Sequence, residues 1–191
     1  ASHQQVLSVL NQESAVYGIN TGFGLFAHHR IADDELQQLQ KNIVLSHACG
    51  TGEALDSATC RLIVALKINA LAQGFSGVRR SLLETMLRLY NNGILPWIPS
   101  KGSVGASGDL VPLAHLAMML IGEGQVVKNG ECIDAAEAFK QLGMTPLELA
   151  PKEGLALLNG MQVSNSIALK ALFESMAMLK TAMLSGSLSV D

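Results

Sequence analysis

Between Ala156 and Leu184 the apolar residues do not keep to one side. Leu169, Leu172, Phe173, Met176, Met178, Leu179, Met183 and Leu184 project in nearly all directions around a helix. A helix apolar most of the way round is buried on all sides. A chain of 191 residues is enough for one substantial domain, but it leaves few elements to cover such a helix. Further chain, or other subunits, are expected around it. Composition points the same way: 49% hydrophobic residues, 15% charged residues and a mean hydropathy of +0.30 are unusual for a soluble monomer.

Upstream, apolar spacings again favour helices. In Asp33–His47, Leu36, Leu39 and Ile43 recur at threes and fours, with Asp33 or Asp34 at the N-terminal end. Asp56–Gln73 is a second helix, capped by Asp56 or Ser57 and stopped by Gly74. Val78–Tyr90 is a third, with Leu82, Met86 and Leu89 inward and Gly93 ending it. Pro96 and Pro99 make Ile94–Ser103 an irregular approach to the next helix, which has Pro112 in its first turn and stops at Gly122. Gln125–Ile133 carries the clear strand signal, two short runs around Asn129-Gly130, the composition of a type I′ hairpin turn. A short helix over Asp134–Leu142 follows, then a loop, then the long helix over Ala156–Leu184. The expected fold is mainly α: a single helical domain over residues 1–191, with a small β-hairpin and a long, largely apolar C-terminal helix.

Several classes of function are disfavoured. A net charge of −3 gives no basic footprint for nucleic acid or an anionic membrane. No apolar run reaches membrane-spanning length. The N-terminal ASHQQVLSVLNQ is expected to be neither a signal peptide nor a natural start, since it lacks Met and begins inside a helical pattern. Cys49, Cys60 and Cys132 have no metal-type spacing and read as reduced, buried thiols of a cytoplasmic protein. His28 and His29 are adjacent and point apart, poor geometry for one metal, so no metal is expected.

Three stretches invite a functional reading beside a structural one. Tyr17-Gly18-Ile19-Asn20-Thr21-Gly22-Phe23-Gly24 is no phosphate-binding fingerprint: no strand precedes it and no Lys-Ser/Thr ends it. It is either a structural turn or a loop whose glycines, Gly24 among them, admit a ligand to the backbone, with Tyr17 supplying a phenol. His47 shares its helix's apolar face and is either a core histidine or a ligand-facing one. Asn159-Gly160 is either a cap or a buried amide that holds a carbonyl oxygen. His115, on the helix after Pro112, reads as packing.

The fourth stretch is GSVGASGD, residues 102–109. Ser107 lies neither in a Gly-x-Ser-x-Gly elbow nor in a Ser-x-x-Lys motif, so ordinary nucleophilic serine chemistry lacks support. The backbone itself offers a reaction. If the loop bends so that the Gly108 nitrogen faces the Ala106 carbonyl carbon, attack closes a five-membered ring. Glycine leaves that strained approach unblocked. One water leaves on ring closure, and the Ser107 hydroxyl leaves as a second. The product is a methylidene-imidazolone, an electrophile that no ordinary side chain provides. The N-terminus of the following helix favours negative charge developing beside it.

GSVGASGDLVPLAH resembles the signature of the aromatic amino acid ammonia-lyase family, whose prosthetic group is this methylidene-imidazolone. YGINTGFG, LSHACGTGE and KEGLALLNGMQ agree in order and spacing, so the likeness runs over the whole chain and is nearest to the histidine-acting members. Carried over by position, Ala106, Ser107 and Gly108 resemble the cofactor-forming triad, and Asp109 the acid assisting cyclisation. Tyr17 resembles the base at the substrate's β-carbon, with Gly24 in the same substrate-side loop. Asn159 resembles the amide that hydrogen-bonds the imidazolone oxygen, and His47 the histidine facing the substrate ring. Val111 departs from the pattern, where a smaller alanine is expected.

The implied reaction is L-histidine to trans-urocanate and ammonia, in a cytoplasmic homotetramer. Family members are well over twice as long, so this chain is expected to be the N-terminal, cofactor-forming part, inactive or nearly so alone, with ring closure dependent on support from the missing helices. The alternatives are a tyrosine- or phenylalanine-selective lyase or aminomutase of the same family, and a helical oligomerisation module whose glycine loops only pack.

Overall fold

The computed structural model describes residues 2–12, 14–105 and 107–190. It is mainly helical. Helix α1 (Ser2–Leu10) leads into a loop with a 3-10 turn at Gly24–Phe26. Then come α2 (Leu36–His47), strand β1 (Thr51–Ala54), α3 (Ser57–Ala72) and α4 (Arg80–Asn91). Strands β2 (Ile94–Pro96) and β3 (Pro99–Lys101) precede α5 (Leu110–Leu120). The hairpin β4 (Gln125–Lys128) and β5 (Glu131–Asp134) follows, then α6 (Ala135–Gln141), α7 (Glu153–Leu158) and α8 (Gln162–Leu188).

Local chemistry accounts for many of these boundaries. Asp56 caps α3, its carboxylate accepting from the Thr59 backbone N–H at 3.0 Å. Leu82, Met86 and Leu89 form the buried stripe of α4, as their spacing predicts. Asn129 and Gly130 both have positive φ, 52° and 85°, which gives the expected type I′ turn. Pro112 sits in the first turn of α5, where a missing N–H costs no helical bond. The core gathers α2 to α5 with β2, β4, α6 and α7, and each fully buried Leu, Ile or Met there contributes about 1.5–3 kcal/mol relative to exposure.

The structure departs from the sequence reading in five places. First, α2 begins at Leu36 with Glu35 at its cap, and Asp33 and Asp34 lie in the preceding turn without capping it. Second, the region 94–103 is not wholly irregular. β2 pairs antiparallel with β4, and β3 with β1. Its prolines are tolerated because Pro99 opens β3 and Pro96 ends β2, an edge strand. Third, the long C-terminal helix is two helices, α7 and α8, broken at Asn159-Gly160, where Gly160 adopts φ +143°. Fourth, of the three free cysteines only Cys60 is buried, while Cys49 and Cys132 are exposed. Fifth, α8 is not buried on all sides: from Ala171 to its end it is exposed, including Leu172, Phe173, Met178, Leu179, Met183 and Leu184. No helix among the described residues is long and apolar enough to cross a membrane.

Candidate active site

The two-stranded sheet of β1 and β3 leads into the glycine loop. β1 follows directly from His47 through Ala48–Gly50, and β3 runs directly into Gly102. Their antiparallel pairing, Thr51 with Lys101 and Ala54 with Pro99, sets the two motifs side by side. Gly102 closes the contact, since a Cβ there would lie 2.5 Å from Val111 Cγ1 and 3.3 Å from the Gly50 Cα. Val111 thus fills space between the loop's first glycine and α5. His115, one turn further along α5, accepts the Gly50 N–H at Nε2 (3.2 Å). Its burial lowers its pKa, in keeping with that acceptor role for the neutral ring. More than packing is therefore assigned to His115.

The far end of the loop is clamped harder. Gly108 is buried with φ +109°, and a Cβ on it would lie 2.7 Å from the Gly160 carbonyl oxygen. Two stretches of backbone, from GSVGASGD and from LLNGMQ, therefore touch directly, which only glycine permits here. Asp109 is 0% exposed. Its N–H donates to the Gly160 carbonyl at 2.8 Å. Its carboxylate accepts from the Ser103 hydroxyl at 2.9 Å, the Ser164 hydroxyl at 2.6 Å and the Ser164 N–H at 2.8 Å. Ser164 lies in the first turn of α8, so Asp109 caps that helix from a distant part of the chain. Ser107, beside this anchor, is exposed. Ala106 lies outside the described residues.

Each remaining motif is attached to the same framework. Gly18 (φ +75°) lies against Leu155 of α7, so the Tyr17 loop rests on the helix that ends at Asn159. Tyr17 is 57% exposed and meets Phe23 edge-on, ring centroids 6.0 Å apart. Gly24 (φ +59°) is exposed with open space around its Cα. Gly154 of α7 donates its N–H to Gln40 Oε1 of α2 at 2.9 Å. One turn after Ile43 on that helix stands His47, half-buried, with Nδ1 2.8 Å from the Ile43 carbonyl and 3.2 Å from the Ser46 hydroxyl. Asn159 is exposed, and its backbone carbonyl accepts from Lys67 Nζ at 2.7 Å. The polar groups of the site thus stay open to solvent, while the groups that hold them are buried.

Some of those holding groups carry signals a sequence reading can detect. Lys67 lies four residues from both Ile63 and Leu71, in the middle of a buried stripe of α3. A lysine there is anomalous. Burial pushes its pKa down to about 7. Ser103 and Ser164 gave no such signal, because nothing local marks a serine as a partner for Asp109. Glu153, buried at the start of α7, receives a two-pronged hydrogen bond from Arg79 (3.0 and 2.7 Å). Among the described residues no group of three or more His, Cys, Asp or Glu is placed to hold a metal ion.

A mainly helical domain in which a buried carboxylate beside Ser107-Gly108 holds that loop against a second glycine backbone defines a narrow class of protein. The aromatic amino acid lyase family model matches residues 1–191, and the chain belongs to that family. It is 58% identical over 191 residues to histidine ammonia-lyase of Legionella pneumophila (strain Paris), and 52% identical to that of Salmonella arizonae. In both cases all of this chain aligns with 38% of the relative, so the chain spans well under half the length of the curated relatives it matches. Among solved structures, histidine ammonia-lyase from Trypanosoma cruzi superposes with a TM-score of 0.83 at 37% identity, over 90% of this chain and 33% of that one. Phenylalanine aminomutase from Pantoea agglomerans gives 0.89 at 31% identity, over 95% and 35%.

Proposed function

We propose that this chain is the N-terminal, cofactor-forming part of a histidine ammonia-lyase, which converts L-histidine to trans-urocanate and ammonia. The observation that carries the reading is the clamp on Gly108. Ring closure between the Gly108 nitrogen and the Ala106 carbonyl carbon needs a compressed loop, and compression persists only where the surroundings over-determine it. The contact of Gly108 with Gly160, the Asp109 N–H on the Gly160 carbonyl and the three hydrogen bonds accepted by the Asp109 carboxylate support that reading. The closed ring supplies an electrophile that ordinary side chains lack.

The chain's own residues supply the rest. The Asn159 amide would donate to the ring oxygen. Tyr17, on a loop braced by Leu155, removes the substrate's β-proton, and Gly24 keeps that loop's substrate side free of side-chain bulk. His47 faces the substrate ring, with Ile43 and Ser46 fixing its Nδ1. The half-polar environment of His47 favours an imidazole over a phenyl substrate. In the longer protein, other subunits of a cytoplasmic homotetramer cover the apolar face of α8. The superposition on a phenylalanine aminomutase supports a second reading, a family member acting on another aromatic amino acid.

Intact-mass measurement on the full-length protein tests the cofactor, and product analysis with L-histidine, L-tyrosine and L-phenylalanine tests the substrate. The expected result is a mass short by two waters, with urocanate as the main product and both lost in Ser107→Ala. A wild-type mass with no water lost refutes the reading. Product from tyrosine or phenylalanine alone transfers it to the second.

A further inference from the structure

Lys67 is a buried titratable group for which the proposed reaction has no use. Its side chain crosses from α3 to the break between α7 and α8, and the residue is 1% exposed. The partner it finds is the Asn159 carbonyl oxygen, 2.7 Å away. Asn159 is the C-terminal cap of α7, where the last carbonyls have no helical N–H to accept from. The next carbonyl along, that of Gly160, accepts from the Asp109 N–H and lies against Gly108. Two consecutive carbonyls are therefore held by two residues, Lys67 from below and Asp109 from the loop side. Gly160, with φ +143°, is the joint between them and is free to rotate unless both are held.

Resting on the reading of residues 106–108 as the cofactor-forming triad, we propose that Lys67 is a positioning residue for ring closure: its hydrogen bond to Asn159 holds the Asn159–Gly160 backbone against Gly108. The step it serves forms the bond from the Gly108 nitrogen to the Ala106 carbonyl carbon, whose oxygen leaves as one water, and the Ser107 hydroxyl leaves with the Cα hydrogen as the second. Lys67 exchanges no atom in it. A lysine suits the task because its long stem spans the distance between helices while its tip donates whether or not it is charged. Burial that drives the pKa toward neutrality leaves the donor intact.

The test uses the full-length protein, expressed with Lys67→Met and Lys67→Gln, and follows the loss of two waters by intact mass with time after synthesis. Methionine keeps the stem and removes the donor. Glutamine keeps a donor on a shorter stem. Loss of a buried hydrogen-bond partner is expected to slow ring closure by about tenfold in the Met chain, and less in the Gln chain, at a temperature where both chains are fully folded. A merely structural lysine would move the melting temperature and leave ring closure alone. Ring closure at the wild-type rate in the folded Met variant overturns the proposal. If the Met chain does not fold, Lys67→Leu, which also lacks the donor, decides by the same criterion. A wild-type chain that never loses water refutes the parent reading instead, so the two failures are separate.

Discussion

At the scale of single residues, a few buried polar groups govern the site, and their ionisation has consequences for stability. Lys67 titrates near 7 in the folded chain and near 10.5 when unfolded. From about pH 7 upward the unfolded chain keeps a proton that the native chain has lost. The unfolded state then binds more protons, so stability rises with pH. Cys60 acts in the opposite sense at higher pH. Burial raises its thiol from 9.0 to about 11, so above pH 9 the native chain holds the extra proton and stability falls. The urea midpoint is therefore expected to climb between pH 7 and 9 and then level or decline. Lys67→Met should flatten the climb. A wild-type midpoint that is constant from pH 7 to 9 contradicts the assignment.

At the scale of elements, the site depends on α7, a helix of six residues that could not persist alone. Three ties hold it: Gln40 to Gly154, Lys67 to Asn159, and Arg79 to Glu153. The last is the strongest. Glu153 also accepts the Arg79 and Ala150 N–H groups, and Burial of its carboxylate is nearly complete, with 1% of the side chain exposed. Removing the guanidinium leaves a buried charge underpaired. Arg79 is a third exposed, which screens part of the effect. Arg79→Met is expected to cost about 2–3 kcal/mol in urea denaturation, with Arg79→Lys recovering only part because it cannot donate two parallel bonds. A loss below about 1 kcal/mol would mean that α7 is held elsewhere.

At the scale of the whole molecule, α8 packs on α3 over its first part and is exposed from Ala171 to its end. The exposed part of α8 carries Leu172, Phe173, Met176, Met178, Leu179, Met183, Leu184 and Leu188. An apolar surface of this kind favours association in water. The chain is expected to self-associate at micromolar concentration, and sedimentation velocity should show species heavier than a monomer. Phe173→Glu with Leu179→Glu should return it to a monomer with unchanged helix content by circular dichroism. A wild-type chain that sediments as a monomer would show that α8 tolerates water as it stands.

Sequence alone determined what depends on neighbours along the chain. The helices, the Asn129-Gly130 hairpin and the Asp56 cap follow from spacing and turn residues over a few positions. The all-round apolar character of α8 was equally legible, though the isolated chain leaves that surface exposed. Tertiary structure alone decided how those pieces hold one another. Periodicity gave no reason to stop a helix at Asn159, because the break is stabilised by Lys67 and Asp109, 92 residues and about 50 residues away along the chain. The same holds for the short strands around Pro96 and Pro99, whose pairing compensates for weak propensity. Hydrogen bonds between distant segments leave no periodic trace, and whether a glycine loop is a loose turn or a compressed one depends on what presses against it.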